Sequence, residues 1–238
     1  MENCSTGFGD IVVKFGDEQS VATKAVLALK SVYFSRPFQG QSSVATSPFI
    51  DVGDEDPPAL VFSMLRYLHG SSYKDLKLNV SIAEILNFDI GMFLLADQYD
   101  IKCLRSRATK HFYKDAENLI CFGVVARGIQ RLLGPGAPLL ADSSLQDLAF
   151  QFCMEHVENL LQNQTFHDLL KDGSLLSPTA AGKLLVEVGG RLQLFKTGKR
   201  GPLEDLDVLL DRGSKDTSSD EELTITQNGF HIGSHTGY

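Results

Sequence analysis

The chain's six histidines and four cysteines are its best candidates for binding a metal ion or acting as nucleophiles. The histidines do not converge in any motif; they are His69, His111, His156, His167, His231 and His235. The last two have the i, i+4 spacing of a helical metal site, but three glycines around them disfavour a helix. No hydrolase elbow, dinucleotide fingerprint or phosphate loop occurs. We therefore expect no catalytic residues, no metal or cofactor site, and no enzyme, and an enzyme of unrecognised class is the rival interpretation.

The cysteines are widely scattered and lack both a Cys-x-x-Cys pair and zinc-ligand spacing. Cys103, Cys121 and Cys153 fall inside apolar helical patterns, whereas Cys4 does not. This distribution predicts small buried hydrophobic residues in a reducing compartment.

Two serines near the end of the chain are candidate phosphorylation sites. Ser218 and Ser219 each stand three residues before a glutamate, a pattern that acid-directed kinases favour. Phosphorylation would deepen the local negative charge. The alternative is an unmodified, solubilising acidic tail.

Composition limits the class of protein without choosing a function. The 238 residues allow one large domain or two small ones, and 43% are hydrophobic, which suffices for a core. A net charge of −8 argues against a nucleic-acid or anionic-membrane partner. Neither a signal peptide nor an apolar run of membrane-spanning length is visible. We expect an intracellular protein, cytoplasmic or nuclear.

The first segment reads as a strand, a turn and a helix. Apolar residues alternate over 11–15, the period of a strand with one buried face. Gly16 and the residue after it predict a turn, and Thr23 is the predicted N-cap of a helix. Pro37 predicts a break near the end of that helix.

Further along, residues 47–52 have the aliphatic character of a strand, and acidic residues followed by two prolines predict a helix over about 57–70. Residues 71–88 are less regular and predict a strand or loop leading to a helix. Helical periodicity resumes at Met92, is interrupted at 97–100, and continues to Phe112.

Four blocks of this sequence together resemble the BTB/POZ family: DIVVKFGDEQ, TKAVLALKSVYFSRPF, FIDVGDEDPPALVFSMLRYLHGSSY and MFLLADQYDIKCLRSRATKHF. The likeness is strongest to the BTB proteins of filamentous fungi. The resemblance implies an α+β fold in which a cluster of helices is capped by a small sheet. It also implies a non-enzymatic module that self-associates and docks partner proteins.

The resemblance places a candidate partner or dimer surface at Asp10, Lys24, Phe38 and Tyr99. Several relatives place an acid and a base at the first two positions, where they line a charged pocket near the dimer surface. The alternative is a pair of solvated charges at a strand start and a helix start. The histidine usual in the family is replaced by Thr23.

The family resemblance implies two specific roles, and the sequence of one loop argues against the first of them. Adaptors of cullin-type ubiquitin ligases carry a hydrophobic-x-Glu motif before the strand corresponding to 49–52, and the loop 39–47 contains no glutamate. A cullin adaptor therefore stays an alternative, and a nuclear transcription co-regulator is another.

Residues 1–9 have too little apolar content for an exchanged strand, so we predict a homodimer through the first helices.

After Phe112 the chain stays helical, with apolar patterns over 118–133, 145–161, 166–170 and 180–188. They resemble the helical extension of the fungal relatives, or else they merely extend the core. We predict a flexible N-terminus over 1–9, a BTB/POZ domain over 10–113, a helical extension over 114–195, and a mostly disordered acidic tail over 196–238.

Overall fold

The computed structural model describes residues 9–39, 46–119 and 121–197. Several predictions fall outside these ranges. They concern Cys4, the first eight residues, most of the glutamate-free loop, Ser218, Ser219, His231, His235 and the acidic tail.

A three-stranded sheet forms one side of the described chain, in the order β2-β1-β3. Strand β1 (Ile11–Phe15) runs antiparallel to β2 (Glu18–Ala22) and parallel to β3 (Phe49–Asp51). Strands β1 and β3 confirm the sequence predictions, whereas β2 was not predicted. The turn before β2 uses Gly16, whose φ of 56° is a conformation that glycine adopts without strain.

The predicted helical break at Pro37 is wrong, because the chain breaks earlier, at Ser31. This residue is extended and separates α1 (Lys24–Lys30) from α2 (Val32–Gln39), which contains Pro37. The Ser31 hydroxyl donates to the Tyr99 carbonyl oxygen at 2.6 Å and accepts from the Phe34 N–H at 3.2 Å. A buried serine therefore ends one helix and caps the next.

Four helices follow the sheet: α3 (Pro58–Leu68), α4 (Tyr73–Leu76), α5 (Ile85–Gln98) and α6 (Lys102–Asn118). Residues 71–84 thus form one helical turn and a connection, residues 85–88 begin α5, and the strand alternative is wrong. Helix α5 is buried on several sides and packs against α3 and α6. Gly91 allows the close approach of α3, because a larger side chain would collide with Leu60.

Five more helices are described: α7 (Phe122–Leu133), α8 (Ser144–Glu155), α9 (Val157–Leu161), α10 (Gln164–Lys171) and α11 (Pro178–Thr197). Helix α7 packs against α5, α8 and α10, and its buried residues belong to the same core as α5. The pattern over 145–161 forms two helices, separated at His156. The domain boundary near residue 113 stays a prediction.

Described residues up to Gly189 form one compact unit. From Gly190 the backbone of α11 belongs to a second unit. None of the helices in the described ranges combines the length and the apolar composition needed to cross a membrane.

Burial of the cysteines was predicted correctly for Cys153 and wrongly for Cys103 and Cys121. Cys103 lies in the first turn of α6 and Cys121 just before α7, and both face solvent. Burial raises the pKa of the Cys153 thiol to about 11. Among these three, none forms a disulfide.

Candidate interaction surface

Asp10 and Lys24 meet where β1 begins and α1 begins. The Lys24 backbone N–H donates to Asp10 Oδ1 at 2.7 Å, so the aspartate caps the helix from a neighbouring strand. The Lys24 ammonium donates to the Ser47 carbonyl oxygen at 3.1 Å. Thr23 occupies the predicted N-cap position, but the side-chain capping hydrogen bond expected of it is absent.

His69 contacts the start of α1 through the backbone of Thr23. Its Nε2 accepts from the Thr23 backbone N–H at 3.0 Å, and Nδ1 lies 2.8 Å from the Leu65 carbonyl oxygen. These partners assign the proton to Nδ1. A histidine at the end of α3 therefore joins the start of α1, and the neutral ring satisfies both contacts.

Tyr99 is a core residue, which corrects its assignment to the interaction surface. Its side chain is 1% exposed, and its ring stacks on Phe34 with 5.5 Å between centroids. The hydroxyl donates to Asp56 Oδ2 at 2.9 Å. Burial, and then this hydrogen bond, raise the pKa of Tyr99. Tyr33, edge-on to the same ring, is the aromatic side chain that reaches solvent.

Phe38 is partly buried and packs against the core, so it has one face available at most. Together with Asp10 and Lys24, it stays a candidate for the partner surface. Other apolar side chains on the sheet and on the first two helices are more exposed than Phe38.

The outer face of the sheet carries one row of apolar residues and, beside it, one row of polar residues that includes Lys14. Val12 is paired with Val21 on one side and with Phe49 on the other, and the two outer members are about half exposed. Beside this row, Lys14 holds its ammonium 4.2 Å above the centre of the Phe49 ring.

Helix α1 leaves most of its surface open. Leu27 is its only buried residue, whereas Leu29 is 85% exposed. Val32 and Tyr33 continue this exposed apolar surface into α2, each about 40% exposed. We call these three residues the α1–α2 patch.

Residues 2–115 match the family model of the BTB/POZ domain. This part of the chain is a BTB/POZ domain. The family match and the small sheet beside a helical cluster agree with the α+β fold predicted from the sequence. No curated protein matches the chain.

A BTB/POZ domain is a protein–protein interaction module and is generally non-enzymatic. Its function therefore depends on surface complementarity, and the apolar sheet row and the α1–α2 patch are exposed features of this domain that fit such a role. Within the described ranges, the acidic, histidine and cysteine side chains form no group of three suited to a metal ion.

A buried charge network lies inside the BTB/POZ domain, and the sequence analysis missed it. Lys77 donates to both oxygens of Asp89, at 2.8 and 2.9 Å, and also to Asp115. The Tyr73 hydroxyl donates to Asp89 Oδ1 at 2.9 Å, and His111 stacks on the Tyr73 ring. The network joins the α4 region to α5 and α6.

Burial dominates the electrostatics of this network. It raises the pKa of Asp89 to about 7, although the contacts with Lys77 and Tyr73 act in the opposite direction. It also lowers the pKa of His111, helped by the charge of Lys77. One feature of the sequence pointed to this network, because Asp89 is a charged residue within an apolar helical stretch. The partners of Asp89 are distant in sequence and could not be identified from that pattern.

A second cluster centres on Arg105 of α6. Its guanidinium nitrogens lie 3.3 Å from carboxylate oxygens of Asp97, Asp100 and Asp142. The Nε approach to Asp142 lacks hydrogen-bond alignment. Asp97 also accepts from the Ala141 N–H at 2.8 Å. The cluster therefore fastens the segment before α8 to the α5–α6 connection.

Proposed function

We propose that this protein is a scaffold that self-associates through the α1–α2 patch and docks partner proteins. The observation that supports this most is the exposure of Leu29, a leucine in the first helix with 85% of its surface in contact with solvent. Each large apolar side chain removed from water contributes about 1.5–3 kcal/mol, which favours covering this patch.

The sheet and the polar residues beside α1 extend the proposed surface. A stable dimer buries about 800 Å² per partner, which is more than three side chains supply. Val21 and Phe49 on the sheet add apolar area, and Asp10 and Lys24 lie between the sheet and α1. We propose that these elements together form the homodimer contact.

Light scattering coupled to gel filtration tests self-association. At concentrations on the order of tens of micromolar, the full chain is expected at twice its mass of 26.1 kDa. Leu29→Asp is expected to weaken the dimer at least about tenfold, because it buries a carboxylate in an apolar contact.

Leu78→Asp is the matched control, because Leu78 is 73% exposed but lies outside the α1–α2 patch. It is expected to leave the mass unchanged. A wild-type chain that is monomeric throughout this range would exclude the dimer. Equal effects of both substitutions would exclude the α1–α2 patch as its contact.

The cullin-adaptor and nuclear co-regulator roles stay alternative proposals, as does the affinity to fungal relatives. A pulldown with purified cullin amino-terminal domain tests the first, and micromolar or tighter binding would favour it. Affinity purification with mass spectrometry tests the second, since recovery of transcriptional regulators would favour it.

Phosphorylation of Ser218 and Ser219 also stays a prediction, which phosphopeptide mapping can check.

A further inference from the structure

An open cleft of about 520 Å³ lies beside α7, at a distance in sequence from the α1–α2 patch. One wall is the exposed side of α7, and the other includes the Gly-Pro-Gly loop that follows it. Its lining includes Leu94, Arg127, Gln130, Arg131, Pro138 and Ser174. No acidic side chain lines the cleft.

Two arginines give this cleft its charge. Arg127 and Arg131 are spaced i, i+4, so both project from the same side of α7, and both are exposed. Arg131 donates to the Asn87 carbonyl oxygen at 3.3 Å. Arg127 makes no hydrogen bond or ion pair with the part of the chain that the structure describes. Neither arginine forms an ion pair there.

Solvation around Arg131 is already reduced. Burial lowers the pKa of its guanidinium, and the charge of Glu84 acts in the opposite direction. Arginine stays charged in proteins despite such shifts. A partly desolvated guanidinium without a carboxylate partner gains more from an arriving anion than a fully hydrated one does.

The wall opposite the arginines is held in place by hydrogen bonds. Gln130 donates to the Ser174 hydroxyl at 3.0 Å, and Gln146 donates to the carbonyl oxygens of Leu132 and Pro138. Gly134 is needed here, because a Cβ atom would lie 2.8 Å from the Ser174 carbonyl oxygen. A ligand therefore meets a wall that is already ordered, which lowers the entropic cost of binding.

An exposed apolar side chain follows the opposite wall of the cleft in sequence. Leu139 follows Pro138 in the chain and is fully exposed, at 103% of its reference area. Arginines beside an exposed large apolar side chain are typical of protein interfaces, whereas a free phosphate would use the arginines alone. The combination favours a peptide that carries both acidic and apolar side chains.

We propose that this cleft binds an acidic peptide segment of a partner protein. Arg127 and Arg131 pair with carboxylates of that segment, and Leu139 contacts one of its apolar side chains. Apart from Leu94, the named lining residues follow the BTB/POZ match. The cleft is therefore a second docking surface, separate from the proposed self-association contact.

Fluorescence anisotropy on the full chain tests the cleft. The probe is a labelled synthetic peptide of alternating Glu and Leu, about ten residues long and about 33 Å when extended. The matched peptide has Gln in place of Glu. We expect saturable binding of the acidic peptide that weakens with added salt, and at least about tenfold weaker binding of the Gln peptide.

The double variant Arg127→Glu, Arg131→Glu is expected to lose at least about tenfold in affinity for the probe. Its matched control is Lys110→Glu, Lys114→Glu, two exposed lysines of α6 with the same spacing and the same change in charge. The control is expected to change affinity less than about twofold. Should charge reversal disturb folding, Arg127→Gln with Arg131→Gln repeats the measurement without adding acid.

Leu139→Ser tests the apolar contact and is expected to weaken the probe about fivefold. Three outcomes would overturn the proposal: no saturable binding, equal loss in the lysine control, or equal binding of the Gln peptide.

A last variant identifies the source of the peptide. It replaces four acidic residues of the chain itself by amides: Asp216→Asn, Asp220→Asn, Glu221→Gln and Glu222→Gln. Unchanged affinity for the probe supports the proposal that the cleft binds a peptide segment of a partner protein. A gain of about tenfold or more would instead assign the cleft to the chain's own tail and overturn the partner assignment.

Discussion

The two arginine sites, Arg105 in α6 and the pair Arg127 and Arg131 in α7, differ in what surrounds the charge. Arg105 is enclosed by Asp97, Asp100 and Asp142 and is 13% exposed. Arg127 and Arg131 are exposed and face a cleft without carboxylates. An enclosed charge with carboxylate partners stabilises the fold, whereas an open charge without a carboxylate partner is free to bind an anionic ligand. Lys77, which is enclosed and paired with carboxylates, differs in the same way from the exposed lysines of α6.

The enclosed network around Lys77 provides the strongest test of this comparison. Lys77→Met leaves the Asp89 carboxylate buried without its cation, and we expect a loss of about 3–5 kcal/mol in the free energy of unfolding at about pH 9, where Asp89 is ionised in the wild type. Urea denaturation followed by circular dichroism measures it.

Lys110→Met is the control for this prediction, because Lys110 is exposed on α6. A loss of about 0.5 kcal/mol or less is expected. If the two substitutions cost the same, burial of the charge does not determine its contribution to stability.

Proton binding by Asp89 should make the stability of the protein depend on pH. Burial raises the pKa of Asp89 to about 7 in the folded chain, compared with about 3.9 in an unfolded one. The folded state therefore binds this proton more tightly, and its contribution is complete below about pH 4 and lost as the pH rises to about 7. The loss is on the order of 4 kcal/mol.

The measurement is the difference in free energy of unfolding between wild type and Asp89→Asn across this pH range. Wild type is expected to lose stability relative to the variant as pH rises, because asparagine cannot titrate. A difference that stays constant from about pH 4 to 7 would show that Asp89 has no raised pKa.

Arg105→Met tests the second enclosed charge. It removes two guanidinium hydrogen bonds and leaves three aspartates near one another, so we expect a loss of about 2 kcal/mol. Thermal unfolding checks this. Arg66→Met, at an exposed site on α3, is the control and should cost about 0.5 kcal/mol or less. A neutral Arg105→Met would make the aspartate cluster a surface feature without structural effect.

The open arginines should give the smallest effect on stability. Arg127→Gln with Arg131→Gln is expected to change the free energy of unfolding by about 0.5 kcal/mol or less, because neither side chain forms an ion pair in the described structure. Urea denaturation measures it against Arg105→Met. A loss as large as that of Arg105→Met would place these arginines among the structural charges and break the comparison.

Local periodicity in the sequence predicted much of the fold. Strand β1 and the helices around Leu65, Leu104 and Ile129 follow from apolar spacing alone. Strand β2 was missed because Glu18 to Ser20 are polar, and an edge strand facing solvent lacks the apolar alternation of a buried one.

Long-range contacts explain the other differences. The break at Ser31 depends on the carbonyl oxygen of Tyr99, which is 68 residues away in the chain. The burial of Tyr99 depends likewise on Phe34 and Asp56. Residue types and spacing cannot specify such partners, so the candidate surface was predicted only through the family, and the α7 cleft was not predicted at all.

The match to the BTB/POZ family ends at residue 115, which lies inside α6 (Lys102–Asn118). Beyond that point, Gly128 of α7 still lies against Ile90 of α5 and Phe112 of α6. Modules that recombine between proteins usually end in exposed linkers. Here the segment that matches the family and the compact unit of the structure end at different places. A gene fusion or exchange cut at residue 115 would therefore divide a continuous core and leave α5 without one of its covering helices.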